Sequence, residues 1–301
     1  MSADSPLPNL SRRALLGGAL LSGLGACSHP LPLAQAPLVS AAAAQRLQDS
    51  ARAHGLDAYR ELNDINIAYA GQWRPLIDRV QPRVVDAGYR GTSQERLLPG
   101  ARFLAQAYTG PSGRKQVAWR RVASSAGMRG LVQVWVDGQP STDIEVLQAS
   151  ALVAECYNLF LLGPLWLAER RLPLQLHGTE RVDGRLCDVV LAWLQPGLGL
   201  SPLDRVALCI DQADHVTRRM RFTLEGTPNT QGAVAITDTF EHERRFGVLW
   251  PMRSYEEVVH PLRLPAHDWR ITGLDVNRGY GIEAISGPAF TGAAAAPALA
   301  V

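Results

Sequence analysis

The most concentrated polar chemistry in the sequence lies towards its C-terminal end, where His260, His267, Asp268 and Asp275 occur close together. A histidine oriented by a carboxylate is an arrangement that can serve as a general base in hydrolysis. His267 and Asp268 are adjacent, however, and adjacent residues on a strand point to opposite faces of a sheet. A hydrolase that uses the His260/His267/Asp268 region is therefore an alternative hypothesis, and a structural or surface role is the favoured interpretation.

Known catalytic and cofactor motifs are absent from the sequence. Ser201 does not lie in a G-x-S-x-G nucleophile elbow. His242 and Glu243 are not followed by the second histidine of an H-E-x-x-H zinc site, and the Gly197-Leu198-Gly199 run lacks the third glycine of a dinucleotide fingerprint. There is also no P-loop and no C-x-x-C pair. We therefore predict no catalytic residue, no metal site and no cofactor.

Four cysteines in 301 residues are too few for a disulfide-scaffold protein. Cys187 and Cys209 fall in two strands that we expect to be neighbours. They would form a disulfide if their Cα atoms came within about 7 Å of each other. The alternative is that these two residues and Cys156 are small buried hydrophobes.

The N-terminus has the features of an export signal. Arg12 and Arg13 precede the short apolar run 14–26, as in a secretory signal peptide. The run is shorter than the about 20 residues that a transmembrane helix needs. The paired arginines favour the twin-arginine route, although Leu15 replaces the usual phenylalanine, and the general secretory route is the alternative. We predict a signal peptide over residues 1–26.

The residues Leu24-Gly25-Ala26-Cys27 end this apolar run and resemble a bacterial lipobox. The resemblance implies that Cys27 is lipidated after cleavage and holds the protein on a membrane without a spanning helix. By resemblance to sorted lipoproteins, Ser28 in place of aspartate favours the periplasmic face of the outer membrane.

Composition indicates a folded globular protein. Hydrophobic residues make up 47% and charged residues 19% of the chain. Lys and Arg number 30 against 28 Asp and Glu, and this balance argues against a nucleic-acid partner. We predict a lipid anchor and tether over 27–44, one domain over 45–290 and a disordered tail over 291–301.

Helices are predicted first and strands after them. One helix is expected over Ala41–Ala53 and a second from Asp57 towards Tyr69. From Val84 onwards, short apolar runs alternate with turn residues, which indicates antiparallel strands and hairpins. The predicted strands are 130–136, 178–182, 186–194, 205–210, 215–224, 233–240 and 247–252, with hairpin turns at Asp137-Gly138 and Asp183-Gly184.

Residues 144–162 form a predicted helix that is apolar on nearly every side, and Gly163-Pro164 ends it. Such a helix must be buried in protein or in a membrane. Because Gln148, Glu155 and Asn158 interrupt it, we expect it to lie against the concave face of a curved sheet. A transmembrane helix is the alternative.

The order of these elements resembles a known superfamily. The specific part of the resemblance is Ile210-Asp211, the basic strand 217–222 and the closing run 247–251. They are similar to the periplasmic half-barrel superfamily of lipoprotein carriers, outer-membrane lipoprotein receptors and RseB-like sensors, the LolA/LolB-like fold. The resemblance implies an α+β fold with a curved antiparallel sheet, a half-barrel, covered by helices in a single domain. It also implies an apolar cavity that binds acyl chains.

An apolar cavity binds acyl chains through buried area, at roughly 25 cal/mol per Å². We therefore expect a non-catalytic, membrane-anchored envelope lipoprotein that binds a lipid, a lipoprotein or another apolar ligand. The alternatives are the envelope hydrolase and a structural or regulatory interaction module. The expected lining residues, which would otherwise form a dry core, are Trp135, Leu152, Tyr157, Phe160, Val216, Met220, Phe222 and Leu224.

Overall fold

The computed structural model describes Leu31 and residues 40–125, 127–259 and 262–292. The predicted signal peptide, Cys27, His260 and residues 293–301 of the predicted tail lie outside this part of the chain. Within it, every strand belongs to one antiparallel sheet. The strands are β1 Ile65–Trp73, β2 Thr92–Leu98, β3 Phe103–Gly110, β4 Gly113–Ser124, β5 Gly127–Val136, β6 Gln139–Pro140, β7 Leu174–Val182, β8 Arg185–Leu194, β9 Asp204–Asp211, β10 Thr217–Thr223, β11 Val234–Arg245, β12 Val248–Val259 and β13 Arg263–Val276.

The sheet consists of two up-and-down meanders that join side by side. Its spatial order is β6-β5-β4-β3-β2-β1-β13-β12-β11-β10-β9-β8-β7. The first and last strands pair with each other, with Ile65 opposite Val276. The short strand β6 and strand β7 are consequently the two edges. The sheet is curved and does not close, so the predicted half-barrel is confirmed.

The helices in the described part of the chain are fewer than the strands, and most of them are short. Only two of them exceed six residues. They are α1 Ala41–Ala53, α2 Leu56–Arg60, α3 Pro75–Val80, α4 Pro82–Val85, α5 Ile144–Leu162, α6 Pro164–Ala168 and α7 Ile282–Ile285.

Two hairpin turns have the backbone conformation that their sequences predict. Asp137 and Gly138 both have positive φ, 48° and 81°, as a type I′ turn requires. Asp183 and Gly184 repeat this conformation, with φ of 48° and 77°. These turns fix the registers of the β5–β6 and β7–β8 hairpins, in which Val136 faces Gln139 and Val182 faces Arg185.

The predicted helix from Asp57 towards Tyr69 is wrong over most of its length. Helix α2 ends at Arg60, and β1 begins at Ile65. Ile65, Ile67 and Tyr69 are alternate residues that all belong to the main apolar core, which is the two-residue period of a strand. The β-branched residues at 65 and 67 also favour a strand over a helix.

Helix α5 connects the two edges of the sheet and covers its concave face. It begins at Asp143, whose carboxylate accepts the backbone N–H of Glu145 at 2.9 Å. Leu152, Leu159 and Phe160 are buried in the main core together with residues from both meanders. By length and composition this is the one helix in the described residues that could cross a membrane. However, 72% of its most apolar 18-residue stretch is buried inside the protein. The prediction of a buried core helix is therefore confirmed.

The convex face of the sheet carries apolar clusters of its own. Over β8 and β9, Val189, Trp193 and Cys209 pack together with Leu31, which is fully buried. Leu31 belongs to the predicted tether, so part of that segment packs on the domain. A second cluster covers β3 and β4, where Phe103 packs against Ile285.

Cys187 and Cys209 lie within the first of these convex clusters, but no disulfide joins them. In the β8–β9 pairing, Cys209 faces Val189, so Cys187 is its diagonal neighbour. Diagonal Cα atoms are about 7–8 Å apart, which exceeds the reach of a disulfide. The alternative interpretation, small buried residues, is the one that the structure supports.

Candidate functional site: an apolar cavity beneath the central helix

A cavity of about 560 Å³ lies between α5, the α3–α4 segment and the concave face of β10–β13. This volume falls within the roughly 300–1,000 Å³ that small-molecule sites occupy. Most of its lining is aliphatic or aromatic. The lining residues are Trp73, Ile77, Val80, Gln81, Val84, Leu152, Val153, Cys156, Tyr157, Phe160, Phe222, Leu224, Asn229, Thr230, Ala233, Glu256, Val258 and Leu264.

Helical and strand periodicities bring these side chains to one space. Leu152, Cys156 and Phe160 are four residues apart on α5, so they share one face of the helix. Phe222 of β10 and Glu256 of β12 are inward positions on strands with a two-residue period. The cavity therefore lies where one helix face is held away from the sheet rather than packed directly onto it.

Aromatic rings form a wall at one side of the cavity. The ring of Tyr157 lies 5.0 Å from Tyr69 and 5.6 Å from Phe160, centroid to centroid. Phe160 in turn lies 5.7 Å from Phe222. Such offset and edge contacts stabilise a fixed arrangement of rings. This wall can therefore retain its shape without a ligand.

Arg90 fastens the α3–α4 segment beside these rings. Its guanidinium lies 4.6 Å from the ring centroid of Tyr108 and 5.7 Å from that of Tyr157. It also donates a hydrogen bond to the carbonyl of Val85 at 2.5 Å. The end of α4 is thus held against the aromatic wall.

The α3–α4 segment covers the cavity from the other side. Ile77 and Val85 pack against Ala266 of β13. The side-chain amide of Gln81 donates to the carbonyl of Asn229 at 2.7 Å, across the space between this segment and the β10–β11 connection. Val80 lines the cavity but is 53% exposed, so the opening to solvent lies at this segment.

Glu256 is the only acidic side chain among the described lining residues. Its Oε2 accepts a hydrogen bond from the Thr237 hydroxyl at 3.2 Å, and the residue is only 8% exposed. Burial raises the pKa of its carboxyl to about 7. Burial also raises the pKa of the Cys156 thiol, and the charge of Glu256 raises it further. The polar centre of the cavity is therefore a carboxyl group in an apolar surrounding.

Five of the eight predicted lining residues lie in the cavity wall: Leu152, Tyr157, Phe160, Phe222 and Leu224. Met220 points into the same core but lines a narrow depression beside Phe160 and Gly163 instead. Whether the five contact a ligand remains a prediction.

Val216 and Trp135 do not line the cavity. The register of β10 shifts between Thr217 and Arg219, which inverts the alternation that placed Val216 inward. Thr217 faces inward in its place, and its hydroxyl lies 3.0 Å from that of Ser50 on α1. Trp135 packs on the convex cluster with Phe103, while its neighbour Val134 takes the inward position.

His267 and Asp268 lie on opposite faces of β13. His267 is buried, stacks on Trp73 at 4.2 Å, and has a pKa lowered to about 3 by burial and the nearby charge of Arg90. Asp268 faces outward and pairs with Arg74. The two side chains therefore do not form the base and orienting carboxylate of a hydrolase. Among the described residues, no group of three or more His, Cys, Asp or Glu side chains could hold a metal ion.

Several lining residues were not predicted from the sequence. Trp73, Ile77 and Val80 come from the end of β1 and the helix after it, a region that lacks a clear periodic pattern. Glu256 and Val258 continue the inward positions Trp250 and Met252 of β12. Extending the two-residue period of that strand beyond residue 252 would have identified both.

No protein-family profile and no curated protein matches the sequence. Among solved structures, the chain is similar to a DUF1329 family protein from Desulfovibrio piger, with a TM-score of 0.51 and 11% identity over 82% of this chain and 98% of that one. A LolA superfamily protein from Nitrosomonas europaea gives a TM-score of 0.41 and 11% identity over 81% and 97% of the two chains. The lipoprotein LppX from Mycobacterium tuberculosis gives 0.25 and 16% over 62% and 89%. At these identities the likeness concerns the fold alone, which is the curved, open antiparallel sheet described above.

Proposed function

We propose that this protein is a membrane-anchored envelope lipoprotein that binds a lipid, or another ligand with an alkyl chain, in its half-barrel cavity and does not act on it chemically. The observation that supports this function is the cavity of about 560 Å³ beneath α5, with its mainly aliphatic and aromatic lining. Burial of apolar ligand surface there contributes roughly 25 cal/mol per Å².

The surroundings of the cavity favour binding over catalysis. His267, the buried histidine nearest to it in the sheet, is held neutral and stacked on Trp73. Glu256 has no histidine or cysteine hydrogen-bond partner among the described residues. A general base or an activated nucleophile would need such a partner within hydrogen-bond reach.

The anchor is part of the same proposal. A lipidated Cys27 would hold the domain at the periplasmic face of the outer membrane, next to a source of acyl chains. Replacement of this residue, Cys27→Ala, should move the protein from the membrane fraction to the soluble fraction, and mass spectrometry of the wild-type N-terminus should show acyl groups. A soluble wild-type protein would contradict the anchor while leaving the cavity proposal intact.

The binding function is tested by blocking the cavity. Native mass spectrometry of gently extracted wild-type protein should show a bound alkyl-chain ligand. Cys156→Phe and Val258→Trp place large side chains into the cavity from α5 and β12, so both should lose that ligand. Ile144→Trp is the matched control, because Ile144 is 59% exposed at the start of α5, away from the cavity. Equal ligand content in all four proteins, or none in the wild type, would contradict the function.

A further inference from the structure

The carboxyl group in the cavity wall lacks a full set of partners. Glu256 is more than nine-tenths buried, and its Oε2 is bonded to Thr237. The bond from Thr237 is the one hydrogen bond of this carboxyl among the described residues, and His267, its partner in the β12–β13 pairing, forms no hydrogen bond or ion pair with it. A carboxylate has about four acceptor sites, so most of the capacity of this group faces the empty space.

Most other polar side chains of the lining have partners or lie at the opening, and the indole Nε1 of Trp73 is a buried donor without a hydrogen-bond partner. The Tyr157 hydroxyl accepts a hydrogen bond from Arg90, at 3.4 Å. The Thr230 hydroxyl donates to the carbonyl of Leu224 at 2.5 Å. Asn229 is exposed at the mouth, where its carbonyl accepts from Gln81. Glu256 is therefore the buried anionic acceptor of the described lining that a donor group on a ligand can reach.

The buried carboxyl of Glu155 is neutralised by Arg121, whereas Glu256 has no ion pair among the described residues. An unpaired buried carboxyl has an energetic cost that a matching ligand group would offset. Burial raises its pKa to about 7, so above that pH the group is mainly a carboxylate and available as an acceptor.

We propose that Glu256 is a specificity-determining residue, and that the ligand is an amphiphile whose alkyl chain fills the cavity and whose buried polar group donates a hydrogen bond to the free carboxylate oxygen. This inference rests on the proposed binding function and extends it to the class of ligand. A hydroxyl, an amide N–H or an ammonium group satisfies this chemistry, whereas an ether or ester oxygen does not, because it has no proton to donate.

The test compares two probes that differ in one donor. We would measure displacement of the fluorescent probe N-phenyl-1-naphthylamine by 1-decanol and by its isomer methyl nonyl ether at pH 8. The protein is the otherwise complete chain carrying Cys27→Ala, which leaves out the proposed lipid anchor. A hydrogen bond to a charged group contributes about 1.5–3 kcal/mol. The alcohol should therefore bind at least about tenfold more tightly than the ether.

Two variants assign the preference to Glu256. Glu256→Leu should bind the ether as well as the wild type does and should show no preference for the alcohol. Glu256→Gln keeps a carbonyl acceptor and the bond from Thr237, so it should retain part of the preference. It also provides the answer if the leucine variant does not fold. Decylammonium tests whether the preferred donor is cationic. If it is, decylammonium should bind the wild type more tightly than 1-decanol does, and this difference in affinity should disappear in Glu256→Gln.

The outcomes separate this inference from the function beneath it. Equal affinities of the alcohol and the ether in wild-type protein would overturn the role of Glu256 while supporting an apolar cavity. A preference that persists unchanged in Glu256→Leu would also overturn it. If no alkyl probe displaces the dye and none binds by calorimetry, the proposed binding function itself fails.

Discussion

The guanidinium of Arg121 on β4 donates hydrogen bonds to both carboxylate oxygens of Glu155 on α5, with Nε 2.6 Å from Oε1. Both residues are buried. The same carboxylate accepts the backbone N–H of Gly199 at 2.8 Å, and Arg121 also donates to the carbonyl of Gly197. One ion pair thus joins the first meander, the central helix and the loop after β8. It holds α5 in the position that leaves the cavity open beneath it.

Replacing one partner of this pair should be more harmful than replacing both. Arg121→Met leaves the buried carboxylate of Glu155 with only the more distant Arg170, whose Nη2 lies 3.8 Å from Oε1, which should lower the free energy of unfolding by about 3 kcal/mol. The double variant Arg121→Met with Glu155→Leu removes that charge and should recover part of the loss. Urea unfolding of the three proteins measures this. A double variant no more stable than the single one would contradict this prediction. It would show that the hydrogen bonds of the two side chains to Gly197 and Gly199 matter more than the unpaired charge.

The buried carboxyl of Glu256 should make stability depend on pH. Its pKa is raised to about 7 in the folded protein, above the ordinary glutamate value of 4.5. The folded state therefore binds the proton more tightly, and the stability from this group is full below pH 4.5 and is lost as the pH rises through 7. Glu256→Gln should consequently gain up to about 3 kcal/mol relative to wild type between pH 4 and pH 8.

The control for this experiment is Glu257→Gln, on the outward face of the same strand, where Glu257 pairs with Arg263 at 2.5 Å. Chemical denaturation at the two pH values gives the comparison. A stability difference between Glu256→Gln and wild type that is the same at both pH values would contradict the raised pKa.

His267 should remain neutral through the physiological range. Burial and the charge of Arg90 lower its pKa to about 3. A lowered histidine pKa means that the stability contributed by this neutral ring is present above pH 6.5 and is lost as the pH falls towards 3. Its imidazole NMR signals should not shift between pH 8 and pH 5, with the exposed His177 as the reference ring. A His267 transition near pH 6.5 would reopen the hydrolase hypothesis.

Cys156, Cys187 and Cys209 should all be free thiols, also in the oxidising compartment to which we propose that the protein is exported. All three are buried, and Cys209 donates to Glu180 at 3.1 Å rather than bonding to Cys187. Iodoacetamide added in denaturant without a reductant should label each of them, as seen by mass spectrometry. Labelling of Cys156 alone would indicate a disulfide between the other two and a rearrangement of β8 or β9.

Local sequence signals predicted much of the fold. The Asp-Gly pairs at 137–138 and 183–184 specify their turns through a backbone conformation that few residue types adopt. The apolar residues of 144–162 predict a buried helix because no polar face exists to meet water. By contrast, the prediction of a helix that continues to Tyr69 was wrong. The strand pattern of Ile65 and Ile67 covers too few residues to reveal β1 in the sequence.

The site was harder to predict because both faces of the sheet are apolar in places. Trp135 and Val134 are adjacent hydrophobic residues, and their sequence does not show which faces α5 and which faces α7. The register shift at residues 217–219 reversed the expected orientation of Val216. Only the tertiary structure reveals these features, since both depend on which strand lies beside which.

The pairing of β1 with β13 has a consequence for how the chain matures. Some two hundred residues separate Ile65 from its partner Val276 in the sequence. A ribosome or a translocation channel delivers residue 65 long before residue 276, so β1 must wait with one backbone edge unpaired. Contacts between such distant residues form slowly, and an exposed strand edge invites aggregation. The cavity therefore forms only after β13 has been delivered, and a truncation before β13 would leave β1 and β12 without the strand that joins them in the middle of the sheet.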